Sequence, residues 1–287
     1  MINHHNSGRN LVHHLVTIAG TLLIAQVVWG QQALDENPRF RFGVIADAQY
    51  CDSAASGSRH YRRSADKLAA CVQEFNEMDL AFVIHLGDFI DRDARSFEAM
   101  VPIYDRLRSP HYHVLGNHEF SVAADALDQV PRMLGMQARY YSFARDGWRF
   151  VVLDGNDLSL VARAKGTAEY EQSLKVYERL KRTNAPQART WNGAIGEAQM
   201  AWLQRQLREA NAAGEKVVVF CHHPVYPPNV HNLWNDADVL EVLTSHGAVV
   251  AYMNGHNHAG HYGKHGGIHF VTFPGMVETA DSTAYAV

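Results

Sequence analysis

Five short apolar runs in this chain each stop on a residue type that can bind a metal, and this repetition constrains the fold more than any other feature. The clearest is Ala81-Phe82-Val83-Ile84, which passes through His85 into Leu86-Gly87-Asp88-Phe89-Ile90-Asp91. Four to eight apolar residues halted by glycine read as a buried strand. Phe40–Asp47 has the same form and ends on its own carboxylate. So do His111–Leu115 before Gly116-Asn117-His118-Glu119, Lys216–Phe220 before Cys221-His222-His223-Pro224, and Ala248–Met253 before Asn254-Gly255-His256-Asn257-His258. Open α/β sheets hold their ligands at the carboxyl ends of strands. A lone Asp after a strand is more often a helix cap. Five such ends in one chain are not explained that way.

The segments between these runs carry helical spacing. Tyr61 to Met78 places Leu68, Cys71, Val72 and Phe75 on one face, and Gln199 to Leu207 does the same with Trp202, Leu203 and Leu207. Phe97 to Leu107 reads as a helix made imperfect by Pro102, and Ala123–Met133 as a helical patch. Arg139–Ala144 and Trp148–Leu153 form a hairpin that turns at Asp146-Gly147. The polar, helix-prone stretch Asp157–Arg189 is an insertion expected to cover one edge, and Ile268–Phe273 is the final strand. With no repeat and no linker, residues 38–287 read as one α/β domain of alternating strands and helices.

Composition excludes several classes. A formal charge of −4 gives no general attraction to nucleic acid. The three cysteines, Cys51, Cys71 and Cys221, form neither a CxxC pair nor a disulfide framework. Residues 1–33 have a different character. Arg9 precedes a stretch from Asn10 to Leu34 without Asp, Glu, Lys or Arg, and Leu15–Val28 is apolar. This resembles a secretory signal peptide, diluted too far by Thr, Gly and Gln for a good membrane span. A retained anchor is the alternative. Periplasmic or secreted localisation follows from the first reading and cytoplasmic from its failure, with no stable membrane association once a signal is cleaved.

Set side by side, the strand ends offer Asp47, Asp88 with Asp91, Asn117 with His118, His222, and His256 with His258. Carboxylate, amide oxygen and imidazole suit Mn, Fe or Zn, whereas calcium avoids so many imidazoles. Two carboxylates, one amide and three imidazoles exceed the needs of one tetrahedral ion. They suit a pair of divalent ions about 3.5–4 Å apart, bridged by a carboxylate. Each motif alone is a common turn or cap; the ordered set is not. The other histidines, His85, His113 and His231 among them, are expected at the surface, in the core or behind the ligands, with His223 a spacer in His222-x-Pro224.

The set D-x-Q, GDxxD, GNHE, HxP and GHxH resembles the calcineurin-like metallophosphoesterases over nearly the whole domain. The resemblance implies a four-layer α/β/β/α sandwich. By position, Asp47, Asp88 and His258 would hold one ion and Asp88, Asn117, His222 and His256 the other, with Asp88 shared. His118 matches the catalytic histidine and Asp91 the carboxylate that orients it. Gln49 departs from the usual D-x-H, offering a neutral oxygen where most of the superfamily has imidazole. That departure, with Tyr61-Arg62-Arg63-Ser64, Asn192-Gly193, Leu233-Trp234-Asn235 and Glu278-Thr279-Ala280, resembles the manganese-dependent ADP-ribose/CDP-alcohol diphosphatases. Members of that family are mostly cytosolic, and their pattern continues into further strand beyond Tyr285-Ala286-Val287, which leaves a truncated end open.

The activity this implies is in-line attack by water, activated by two ions, on one phosphorus of a nucleoside diphosphate derivative. ADP-ribose would give AMP and ribose 5-phosphate; CDP-choline or CDP-glycerol would give CMP and the phosphoalcohol. Arg62 could reach a phosphate, and Tyr50, Tyr226 and Trp234 could stack on a base, although a solvated face and ordinary core are the plainer readings. Two rivals stand beside this one. A general phosphodiesterase or phosphomonoesterase could use the same centre. A non-catalytic scaffold is the other, against which stands the retention of every ligand and His118. Oligomeric state is left open.

Overall fold

Alternation along each strand decides which layer its side chains meet. The structure, a computed structural model, describes residues 40–287. The export-signal reading of residues 1–33 lies outside the described residues. In chain order the elements are β1 (Phe42–Ile45), α1 (Arg63–Asn76), β2 (Phe82–His85), α2 (Arg95–Tyr104), β3 (His111–His113), α3 (Val130–Met133), β4 (Tyr141–Arg145), β5 (Trp148–Val152) and β6 (Leu158–Ser159). There follow α4 (Ala168–Arg182), β7 (Gly193–Ala194), α5 (Glu197–Ala213), β8 (Lys216–Phe220), α6 (Asp236–Thr244), β9 (Val249–Asn254), β10 (His261–His265) and β11 (Ile268–Thr272). Among the described residues no helix is long and apolar enough to cross a membrane.

Two main sheets result. The smaller has the order β1-β2-β3, all parallel, and the larger the order β10-β11-β9-β8-β5-β4. In the larger sheet β5, β8, β9 and β11 run parallel, with antiparallel β4 and β10 at its edges. Because successive side chains on a strand point to opposite faces, Val44, Phe82 and Ile84 share one apolar cluster with Phe150, Val152, Val218 and Phe220. That cluster lies between the sheets, where Phe82 stacks on Phe42 at 4.8 Å and meets Phe150 edge-on at 4.8 Å. The alternate residues face outward. Ile45 and Val83 pack with Leu68, Cys71, Val72 and Phe75 of α1 and with α2. Val151, Val217 and Val219 pack with Leu203 and Leu207 of α5 and Val239 and Leu243 of α6. The layers are therefore helix, sheet, sheet, helix, as the resemblance implies.

The local rules hold where they are strong. In the β4–β5 hairpin Arg145 pairs with Trp148, and Asp146 and Gly147 both adopt positive φ, the turn that matches strand twist. Gly214 ends α5 in the left-handed conformation. The sequence reading contains neither α6 nor β10. The latter is exposed along almost its whole length, so no apolar alternation marks it; it pairs with β11, and His265 stacks on Tyr226 at 5.1 Å.

Parallel pairing sends the carboxyl ends of β1 and β2 the same way, and likewise those of β8 and β9. Side-chain and backbone contacts join these edges. The backbone N–H of His256 donates to Asp47, and the His222 ring reaches the carbonyl of Leu86 at 2.8 Å.

Candidate metal centre

At this junction Asp47, Asp88 and His258 bring donor atoms within 4.8 Å of one another, and so do Asp88, His222 and His256. Asp88 belongs to both groups. Its Oδ2 lies 3.3 Å from His222 Nε2 and 3.0 Å from the Gln49 amide, while its Oδ1 accepts from the His118 N–H at 2.8 Å. Asp47 Oδ1 lies 3.4 Å from His258 Nε2. Gln49 Oε1 and Asn117 Oδ1 are buried and have no hydrogen-bond partner among the described residues. Buried polar atoms are ordinarily satisfied, so two orphaned oxygens beside two carboxylates and three imidazoles fit a pair of cations. Sequence set six of these residues together and left open whether Gln49 touches an ion; the fold brings all seven to one place.

The backbone is strained where the ligands sit. Asp47, Gln49, Asp88 and His256 have φ of 51°, 43°, 56° and 66°. Such conformations cost about 1–3 kcal/mol each and persist only where the surroundings impose them. Part of that imposition comes from Glu119, whose buried carboxylate accepts from the N–H groups of Asp88, Phe89 and Gly116 at 3.0, 2.6 and 2.9 Å. Burial, with Asp88 nearby, raises its pKa to about 7. Gly116 matters for a steric reason. A Cβ there would lie 2.3 Å from both the backbone nitrogen and Oδ1 of Asp88. Gly116→Ala is therefore expected to displace Asp88 and weaken divalent-cation binding at both positions, read by metal titration; unchanged binding would show that the strand end can yield.

Each imidazole is turned so that one ring nitrogen points into the centre. His222 Nδ1 and His258 Nδ1 face acceptors, Leu86 O and Glu278 Oε1, which frees Nε2 towards the centre. His256 is reversed: Nε2 faces Asn192 Oδ1 at 2.8 Å, and Nδ1 turns inward, 3.0 Å from His222 Nε2. The far hydrogen bond fixes the tautomer. Burial lowers the pKa of His222 and His258, but Asp88 beside the first and Asp47 beside the second outweigh it, lifting each to about 9. Protons thus compete with a cation for the same nitrogens. Asn192, Glu278 and Glu119 carry no assigned role in the sequence reading. Asn192 reaches His256, Glu278 reaches His258 and Glu119 reaches Asp88 across 64, 20 and 31 residues of sequence, so no local spacing marks these contacts.

His118 stands to one side. Its Nδ1 meets Asp91 Oδ1 at 2.8 Å and its Nε2 lies 4.0 Å from Asp88 Oδ2. A cleft of about 330 Å³ opens here, lined by Gln49, Arg59, Asp88, Asn117 and His118 on the one hand and Trp191, His231, His256 and His258 on the other. The residues offered from sequence as substrate contacts do not line it. Arg62 is exposed and paired with Asp52 at 2.5 Å. Tyr50 packs against the α1–α2 core, with its backbone bridged to Ile90. Trp234 is buried, donating to Arg189 O at 3.0 Å. The aromatic and the arginine of the cleft are instead Trp191 and Arg59, each in a loop without the periodicity that sequence reading depends on. His223, expected as a spacer, is buried behind the centre, its ring 4.5 Å from that of His256.

Residues 40–260 match the calcineurin-like phosphoesterase family. The chain belongs to that family. Relatives of this phosphoesterase include the manganese-dependent ADP-ribose/CDP-alcohol diphosphatase of Xenopus tropicalis, 33% identical over 85% of this chain and 86% of that protein. The human protein of the same name is 31% identical over 86% of this chain and 85% of its own length. A dimetal phosphatase from Danio rerio has the same fold, with a TM-score of 0.77 and 29% identity over 87% of this chain and 92% of that one. The chain is a metal-dependent phosphoesterase, with the α/β metallophosphoesterase fold and His/Asp clusters that suit two ions.

Proposed function

We propose that this phosphoesterase cleaves the diphosphate bond of nucleoside diphosphate derivatives of the ADP-ribose and CDP-alcohol type. The products are a nucleoside monophosphate and a phosphorylated partner. The observation that carries this reading over a general phosphodiesterase is Gln49. Its amide occupies the position between Asp88 Oδ2, at 3.0 Å, and His258 Nε2, at 3.2 Å, where most of the superfamily has histidine. Relatives named as such diphosphatases, aligned over most of the chain, support it.

Two divalent ions, Mn²⁺ on this reading with Fe or Zn as alternatives, would supply Lewis acidity to the phosphate oxygens and an activated water. Asp47, Gln49, Asp88 and His258 would hold one, and Asp88, Asn117, His222 and His256 the other. The remaining work falls to the chain itself. His118 Nδ1 is engaged by Asp91, which leaves Nε2 facing the cleft to protonate the leaving phosphate oxygen. Burial pulls the His118 pKa down, but the charges of Asp88 and Asp91 more than offset this, keeping the acid form available. Arg59 offers a guanidinium to a phosphate. Trp191, 41% exposed at the cleft, offers a face for a nucleobase, a stack worth about 1–3 kcal/mol.

The test is a side-by-side Mn²⁺-dependent assay of ADP-ribose, CDP-choline and CDP-glycerol against bis-p-nitrophenyl phosphate and cyclic AMP. Higher kcat/KM on the diphosphates is expected. Faster turnover of the simple diesters would overturn the diphosphatase reading while leaving the metal centre intact.

A further inference from the structure

His258 is the one imidazole of the centre whose far nitrogen meets a carboxylate. Its Nδ1 lies 2.5 Å from Glu278 Oε1, whereas His222 and His256 are backed by a backbone carbonyl and an amide oxygen. Glu278 is itself held on several sides. It closes a short 3-10 turn, Met276–Glu278, whose N–H groups at Met276 and Val277 donate to Ala46 O and Asp47 O at 2.9 and 3.0 Å. Lys67 from α1 donates to Met276 O and, at 2.6 Å, to Thr279 O. Arg59 Nε approaches Glu278 Oε1 at 3.6 Å from the cleft side. The carboxylate behind His258 is thus fixed relative to the backbone of Asp47, another donor of the same group.

A neutral acceptor behind an imidazole fixes only its orientation. A carboxylate there also makes the inward nitrogen more basic. We propose that Glu278 is a positioning residue that sets the affinity of the ion held by Asp47, Asp88 and His258, and of that ion alone. The two metal positions are then unequal. The Asp47 side has two carboxylates among its donors and a third behind His258; the His222 side has Asp88 alone and neutral acceptors behind both imidazoles. The Asp47 side fills first as Mn²⁺ rises. This inference rests on the two-ion reading of the centre.

The experiment is calorimetric titration of Mn²⁺ into the full chain stripped of metal. The wild type is expected to show two unequal affinities. Glu278→Gln keeps an acceptor oxygen but removes the charge, and should weaken the tighter site by about 10–100-fold. The other site should change by a clearly smaller factor, because Glu278 backs neither of its imidazoles. Backgrounds assign the effect. With His222→Ala the loss on adding Glu278→Gln should persist; with Asp47→Asn it should vanish, because the site it acts on is already gone. The Glu278 side chain is 24% exposed, and melting curves establish that the variants are folded. Equal weakening of both ions, or none, overturns the proposal while the two-ion reading stands. A wild type that takes up fewer than two ions overturns both.

Discussion

Asp88→Asn should empty both metal positions at once and remove turnover with them. Asp88 is the one side chain common to the two donor groups, and it lies fully inside the protein. Burial opposes its charge, but the imidazoles of His222 and His118 more than compensate and hold its carboxyl well below the usual range. An amide in its place can still accept the His118 N–H. Its NH₂ group, however, would face His222 Nε2, where it would occupy the lone pair a cation needs, and an NH₂ group cannot itself bind a cation. Loss of even one group that stabilises developing charge costs about 10²–10³ in rate. Losing both ions should therefore reduce kcat/KM by at least about 10³-fold. Metal analysis and steady-state rates on the same preparation check this. A variant that retains two ions would deny Asp88 its bridging place.

His118→Ala should do the opposite to metal content and nearly as much to turnover. The side chain is outside both donor groups, and its backbone N–H, which contacts Asp88, survives the substitution. Both ions should be retained while kcat falls by about 10²–10⁴, the usual worth of a positioned acid. Asp91→Asn should fall less and change the pH profile. Asp91 helps hold the imidazolium, so removing its charge lowers the His118 pKa, and the alkaline limb of kcat should move to lower pH. Normal kcat in His118→Ala would take the proton-donor role from it.

The residues of the centre were legible because strand ends and metal chemistry both leave local marks. Asp88, Asn117, His222, His256 and His258 each close an apolar run beside glycine, proline or another histidine. The sandwich itself is not local. That Phe82 faces Phe150 while Val83 faces α1 follows from the pleat only once the pairing of the strands is known. The supports were illegible for the same reason. Glu119 stands in the GNHE motif, yet its hold on the N–H groups of Asp88 and Phe89 depends on two strand ends meeting in space. Glu278 and Asn192 act through single long-range hydrogen bonds. The substrate contacts offered from sequence lie outside the cleft for a different reason. Arg62 and Trp234 lie close in the chain to residues that do line the cleft, Arg59 and His231, but exposure and burial separate them. Aromatic and basic side chains are common enough that proximity in sequence does not choose among them.

The two-ion centre bridged by Asp88 is tested most directly by electron paramagnetic resonance of the wild-type chain as Mn²⁺ is added, with hydrolysis of ADP-ribose measured in parallel. The expected result is two Mn²⁺ per chain, magnetically coupled through a shared ligand, with turnover rising as the second ion binds. A single uncoupled Mn²⁺ supporting full activity would contradict it.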